Sequence, residues 1–219
     1  MKKSSFVALI FLIALPISIQ AQTNAESIFS AVPCFFNVPE GVVEGKDLIC
    51  GYATVPEQHT QSDGRILRLP VVVFPSTAGE PAPDPLVLNA GGPGESNIDA
   101  FVEGVAGEIG QPILAQRDVV IIQIRGTRYA EPNLLCPEAA SFQLAALNRN
   151  NNHAESETLQ LDAIRACHDR LVADRIDLAA FNSIESANDI AFITAELGYE
   201  QFNLYGNSAG TLLAQHTMR

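Results

Sequence analysis

The stretch that most constrains the fold lies near the carboxyl end of the chain, at residues 201–215. An apolar and aromatic run that ends at Tyr205 predicts a short buried strand. The sequence Gly-Asn-Ser-Ala-Gly follows at 206–210, and the residues after it continue as a helix. A G-x-S-x-G sequence between a strand and a helix predicts a nucleophile elbow, the tight turn that presents a reactive serine.

An elbow at this point has definite geometric consequences. Ser208 would adopt a strained backbone conformation at the carboxyl end of the sheet. Gly206 and Gly210 would leave out side chains that would otherwise collide with the strand and the helix. The Ala209 N–H, at the start of the helix, could then donate to a developing oxyanion. The alternative is an ordinary glycine-rich turn in which Ser208 only caps the helix.

Strands and helices alternate along the preceding chain. Apolar runs predict strands at 47–55, 66–74, 86–89 and 118–124, and helical spacing predicts helices at 97–108, 155–174 and 184–197, the last capped by Ser183 and ended by Gly198. After an antiparallel opening pair, this order indicates an α/β fold with a mostly parallel sheet. Sites in such sheets lie beyond the carboxyl ends of the strands, where the elbow, a glycine loop and the loop after Arg125 are expected to meet.

The amino-terminal residues predict where the protein is located, and the net charge limits what it can bind. Residues 1–21 predict a secretory signal peptide with an apolar core from Phe6 to Ile19, and an uncleaved anchor is the alternative. Residues 22–46 predict a loose lead-in, and 47–219 the first part of one α/β domain. The net charge of −12 argues against nucleic acid, and against a membrane after signal cleavage, because both repel an acidic protein. The oligomeric state stays open.

All four cysteines lie in the part predicted to be exported: Cys34, Cys50, Cys136 and Cys167. An even number outside the cytosol predicts disulfides. Of the three pairings that four cysteines allow, Cys34–Cys50 with Cys136–Cys167 closes the shortest loops and is preferred. Free buried thiols are the alternative. The absence of a C-x-x-C motif and of clustered histidines argues against a metal site, and no cofactor is expected.

The loop AGGPGES at 90–96 offers what a serine nucleophile needs besides Ala209, a second oxyanion donor. Gly91 and Gly92 lack side chains, so their backbone can approach a substrate closely and direct an N–H at it. A generic tight turn is the alternative.

Together, AGGPGES, the Arg-Gly-Thr loop that begins at Arg125, and YGNSAGT resemble the α/β-hydrolase peptidases of the proline iminopeptidase and tripeptidyl aminopeptidase group. The resemblance runs from about Cys50 to Arg219, and the cysteine positions are similar to those of the secreted tripeptidyl aminopeptidase branch. It implies an α/β-hydrolase fold, Ser208 as nucleophile and an oxyanion donor from the glycine loop. The implied substrate is a peptide cleaved near its free amino end.

The sequence departs from the family pattern at several positions. Gln123 stands where the family has Asp, Arg128 where it has Gly, and Ala130 where it has Ser, which predicts a differently shaped loop after Arg125. Ala209 replaces a bulky aromatic residue, which keeps the donor N–H and widens the pocket. Arg125 itself is expected in a structural ion pair rather than on a substrate carboxylate.

A general base for Ser208 is not evident in the sequence. The residues after Ser208 include no Asp or Glu, and His216 is their only histidine. On a continuous helix His216 rises ~12 Å from Ser208, out of reach of its Oγ. His59, His153 and His168 precede the elbow and are expected on the surface or in loops. Because this fold orders its triad as Ser, acid and His, we expect the chain to be a fragment that is inactive alone.

Three functions remain in competition. The leading one is an exported serine peptidase that forms an acyl-enzyme at Ser208. A secreted esterase or lipase shares the elbow but usually has an HGGG-type loop. Between these two enzymes, the expected partner is a peptide or a small ester substrate. The third is a non-catalytic binding protein with the same fold.

Overall fold

The structure, a computed structural model, describes residues 28–61, 64–147, 150 and 152–219. The predicted signal peptide, residues 1–21, lies outside the described residues. The six strands of the described part are β1 (Phe29–Ala31), β2 (Ile49–Pro56), β3 (Ile66–Phe74), β4 (Leu86–Asn89), β5 (Val119–Ile122) and β6 (Asn203–Gly206). Its α-helices are α1 (Asn97–Ala106), α2 (Gln111–Leu114), α3 (Pro137–Ala146), α4 (His153–Ala173), α5 (Ser183–Glu196) and α6 (Ala209–Thr217).

The strands form one mixed sheet in the order β1-β2-β3-β5-β4-β6. β2 and β3 are an antiparallel hairpin, whereas β4 pairs in parallel with both β5 and β6. β2, β5, β4 and β6 therefore run in one direction, and β1 and β3 run against them. The predicted α/β class, with a mostly parallel sheet and an antiparallel opening pair, is confirmed.

Helices cover both faces of the sheet. Alternate residues of β5 divide between two apolar cores: Val120 and Ile122 face α5 and α6, whereas Val119 and Ile121 face α1 and α2. All four side chains of β5 are buried, as its unbroken β-branched sequence predicts. The sheet thus holds the ends of β4, β5 and β6 at one edge, between the two helical layers.

The structure corrects the sequence-based expectations in three places. The lead-in contains a strand, β1, which pairs with β2. The cap of α5 is Asn182 rather than Ser183, because the Asn182 side chain accepts from the Ile184 and Glu185 N–H groups. β6 is not buried: it pairs only with β4 among the described strands, and Tyr205 is 49% exposed. Gly198, with φ +93°, does end α5 as predicted.

None of the helices in the described ranges combines the length and apolar content that crossing a membrane requires.

Candidate active site

Ser208 occupies a tight corner between β6 and α6. Its φ of 50° and ψ of −120° lie in a region that residues with a side chain rarely adopt. The side chain makes no capping hydrogen bond to α6, and the residue is exposed. A capping serine would have extended backbone angles and would accept from the first turn of the helix. The corner therefore has the geometry of an elbow and not of a capped turn.

The two glycines of the motif are required by close packing. A Cβ on Gly206 would lie 2.5 Å from the Gly210 carbonyl oxygen, on the first turn of α6. A Cβ on Gly210 would lie 2.5 Å from the carbonyl oxygen of Asn89, the last residue of β4. Strand, helix and neighbouring strand thus approach each other at distances that only glycine permits.

The glycine loop lies directly against the elbow. A Cβ on Gly91 would be 3.0 Å from Ser208 Cβ and 3.6 Å from its Oγ. Gly92, with φ +106°, adopts a conformation that favours glycine. The structure thus brings together the two segments that the sequence singled out, and the roles of Gly91, Gly92 and Ala209 as oxyanion donors stay predictions.

A cavity of about 590 Å³ opens beside this corner, lined by Gly91, Ala209 and Gly210 among others. Most of its wall is apolar, including Ile124, Leu134, Leu135, Phe181 and Leu212. Two of the leucines are also unusually exposed for their type, Leu135 at 50% and Leu212 at 53%. Ala209, with only a methyl side chain, leaves this space open.

Arg125 lies under the cavity in a buried ion pair. Its guanidinium donates to both carboxylate oxygens of Asp189, at 2.7 and 2.6 Å. It also donates to the carbonyl oxygens of Pro56, Glu57 and Ala180. With its donors used in this way, Arg125 has the structural role that the sequence analysis favoured.

Gln123, one of the departures from the family pattern, uses its side-chain amide to hold the loop after Arg125. Its Nε2 donates to Thr127 Oγ1 at 2.7 Å and to the Arg128 carbonyl oxygen at 2.6 Å. An Asp at this position would supply no donor for either oxygen. The loop after Arg125 then continues through Tyr129, which has a φ of 70°.

Three of the histidines contact groups other than Ser208. His59 is part-buried, with Nε2 2.8 Å from Asp189 Oδ1, which the sequence did not predict. His168 contacts the adjacent Asp169, and His216 Nδ1 lies 3.5 Å from Ser183 Oγ. Within the described ranges, no hydrogen bond joins the Ser208 hydroxyl to a histidine or a carboxylate.

The cysteines form two disulfides, Cys34–Cys50 and Cys136–Cys167, which is the preferred pairing. The first ties the segment after β1 to β2. The second ties the start of α3 to the middle of α4, so that this helical pair is fixed next to the cavity wall at Leu134 and Leu135.

Comparison with known proteins gives relatives that match most of the chain. No protein-family model matches the chain. The serine protease Hip1 of Mycobacterium tuberculosis is 30% identical over 186 residues, which make up 82% of this chain and 34% of that protein. Hip1 of Mycobacterium bovis matches with the same values. The chain therefore spans about a third of the length of the curated relatives it matches.

Two solved structures overlap with the chain more loosely. A proposed alpha/beta hydrolase from Nostoc sp. PCC 7120 has a TM-score of 0.38 and 18% identity, over 76% of this chain and 37% of its own. Cfl2 from Burkholderia cenocepacia has a TM-score of 0.39 and 14% identity, over 77% of this chain and 36% of its own. By its own strand order and elbow, the chain has an α/β-hydrolase fold, and its sequence is similar to that of a serine protease.

Proposed function

We propose that the chain carries the nucleophile and oxyanion loop of an exported serine hydrolase, a peptidase that releases residues or short peptides from peptide amino termini. The observation that carries the proposal is the strained Ser208, with φ 50°, held against Gly91. Backbone strain at an exposed polar residue persists only where surrounding contacts enforce it, and it concentrates at functional sites.

The chemistry follows from this geometry. Ser208 Oγ attacks the scissile carbonyl carbon, its proton passes to a base, and the carbonyl oxygen becomes an oxyanion. The N–H groups of Ala209 and of the glycine loop stabilise that oxyanion, and the amine leaves with a proton to give the acyl-enzyme. Among the described residues, none of the four histidines is hydrogen-bonded to Ser208, so complete turnover needs a base that these residues do not place there.

The cavity supports a substrate with an apolar acyl side. Its wall offers the aliphatic surface of Ile124, Leu135 and Leu212 and the ring of Phe181, and its volume of about 590 Å³ accommodates a large side chain. Two disulfides and the signal-like residues 1–21 support export, because disulfides persist outside the reducing cytosol.

The test is modification by a fluorophosphonate probe, located by peptide mapping. An oxyanion hole and binding alone retain about 10³-fold of rate acceleration when a triad is incomplete. Ser208 should therefore react at least about tenfold faster than the exposed Ser141 on α3, which serves as the internal control. Ser208→Ala should abolish the fast modification, and Ser183→Ala, a change in the cavity wall, should keep it.

Equal reaction of Ser208 and Ser141 would contradict a serine-hydrolase site. Aminoacyl anilides and p-nitrophenyl esters, compared on any active form of the protein, separate a peptidase from an esterase. A preference for esters alone would overturn the peptidase part of the proposal.

A further inference from the structure

A buried amide holds the start of the glycine loop. The Asn97 side chain is 1% exposed and bridges two backbone segments. Its Oδ1 accepts from the Ala90 N–H at 2.8 Å, and its Nδ2 donates to the Ile122 carbonyl oxygen at 2.7 Å. Ala90 directly precedes Gly91, so this bridge ties the residue before the proposed oxyanion loop to the end of β5.

The helix that contains Asn97 does not need this side chain. Asn97 is the first residue of α1, and the cap is Ser96, whose Oγ accepts from the Asp99 N–H at 3.1 Å. Asparagine is a poor helix former, and burying an amide costs free energy unless its hydrogen bonds are made. Its Oδ1 is hydrogen-bonded to the loop and its Nδ2 to β5, which accounts for an asparagine at this buried position.

A second buried amide holds the other end of the loop. The Gln123 side chain is fully buried, and its Oε1 lies 3.3 Å from the Ile98 N–H and 3.4 Å from Ser96 Oγ. Its Nε2 donates to the loop after Arg125, as described above. Loop 90–96 is therefore anchored at both ends by side chains that are themselves fixed against β5.

We propose that Asn97 is a positioning residue that fixes the glycine loop against Ser208 through the Ala90 N–H, with Gln123 as the second anchor. This inference rests on the proposed function, since the loop is taken to supply an oxyanion donor. Asn97 contacts no reacting atom. It acts by holding the Gly91 and Gly92 amides at a fixed distance from Ser208 Oγ, where a displacement of about 1 Å can cost about 100-fold in rate.

Amide hydrogen exchange tests the anchor independently of any activity. In the unaltered chain, the Ala90 N–H should exchange more slowly than the N–H of Gly94, which lies at the exposed centre of the loop. Asn97→Ala should speed exchange at Ala90 and Gly91 by about tenfold or more, because the Ala90 N–H loses its buried acceptor. Asn97→Asp keeps an oxygen at that acceptor position and should retain part of the protection.

The matched control is Asn203→Ala. Asn203 Nδ2 donates to Asp84 Oδ2 at 2.7 Å, so it also ties a loop to a strand, but at the opposite end of β4 and β6. This variant should leave exchange at Ala90 and Gly91 unchanged. If Asn97→Ala does not fold, the exchange rates of the Ala90 and Gly94 amides in the unaltered chain still test the proposal. Equally fast exchange of the two amides overturns it.

The second readout is the fluorophosphonate reaction at Ser208. Asn97→Ala should lower the rate at saturating probe by about 10-fold to 100-fold while the half-saturating concentration stays the same, because only transition-state stabilisation is lost. Faster exchange with an unchanged reaction rate would show a purely structural anchor and overturn the positioning role. Failure of the unaltered chain to react at Ser208 would instead contradict the proposed function, and the exchange experiment would still test the anchor.

Discussion

Replacing Asp189 by leucine would remove the carboxylate that is hydrogen-bonded to the buried guanidinium of Arg125 and leave the more distant carboxylate of Glu185, 4.0 Å away. The side chains of Asp189 and Arg125 are 2% and 1% exposed and are joined by hydrogen bonds of 2.6 and 2.7 Å. Breaking a buried pair by removing one partner costs about 3–5 kcal/mol. Against a total stability of about 5–15 kcal/mol, this is a large fraction. With a urea slope of about 2 kcal/mol per molar, the unfolding midpoint should fall by roughly 2 M.

A double variant separates the ion pair from simple loss of packing. Arg125→Met with Asp189→Leu removes both charges, so most of the cost of Asp189→Leu should be recovered. Recovery should be incomplete, because His59 also loses its contact with Asp189. The control is Asp162→Asn, which breaks the exposed pair with Arg165 and should cost at most about 1 kcal/mol. A loss in Asp189→Leu no larger than in this control would refute the reasoning.

Three further predictions concern single side chains. Gly210→Ala places a Cβ 2.5 Å from the Asn89 carbonyl oxygen, and should lower the unfolding free energy by about 1–3 kcal/mol and abolish fast labelling of Ser208; an unchanged urea midpoint would contradict this. Asn89→Leu should raise the unfolding free energy by about 1 kcal/mol, because both amide atoms of Asn89 are buried without a partner in the described part of the chain, and a lower midpoint would contradict it. Burial and the hydrogen bond to Asp118 raise the pKa of Tyr199. The tyrosine of the unfolded chain therefore ionises first, at about pH 10, and the free energy of unfolding should fall as the pH rises above that value. Tyr199→Phe should remove this part of the dependence of the unfolding free energy on pH.

The sheet could be predicted where the sequence pattern is continuous. The apolar runs at 66–74 and 86–89 match β3 and β4 residue for residue. By contrast, β1 is three residues with no alternating pattern, and it is seen only in its pairing with β2, where the Phe29 ring packs over Gly51. α3 has no buried residue, and its place depends on packing with α4 and on the disulfide at Cys136. Such contacts bridge distant parts of the chain and leave no local signal.

The same distinction holds at the site. Ser208 and the glycine loop could be predicted because both motifs follow strands whose carboxyl ends share one edge of the sheet. The contact between His59 and Asp189 joins residues 130 positions apart, and no sequence pattern near either residue predicts it. Asn97 looks like an ordinary polar residue in the sequence, and Gln123 stands out there only as a departure from the family pattern. Their burial, at 1% and 0% exposure, and their hydrogen bonds are seen only in the structure. The neighbouring Asn182 and Ser183 are both good caps, so propensity alone could not choose between them.

The position of Ser208 relative to Gly91 is set by the sheet itself. Asn89, the last residue of β4, pairs with Gly206 of β6 and accepts from the Asn207 N–H at 3.1 Å. The strained corner is thus fixed to the same residue after which the glycine loop begins. The β4–β6 pairing helps to hold Ser208 in this conformation, in which strain of about 1–3 kcal/mol is typical. A change that disturbs the β4–β6 pairing should therefore separate Ser208 from the glycine loop. It should reduce fluorophosphonate labelling at Ser208 before the sheet unfolds.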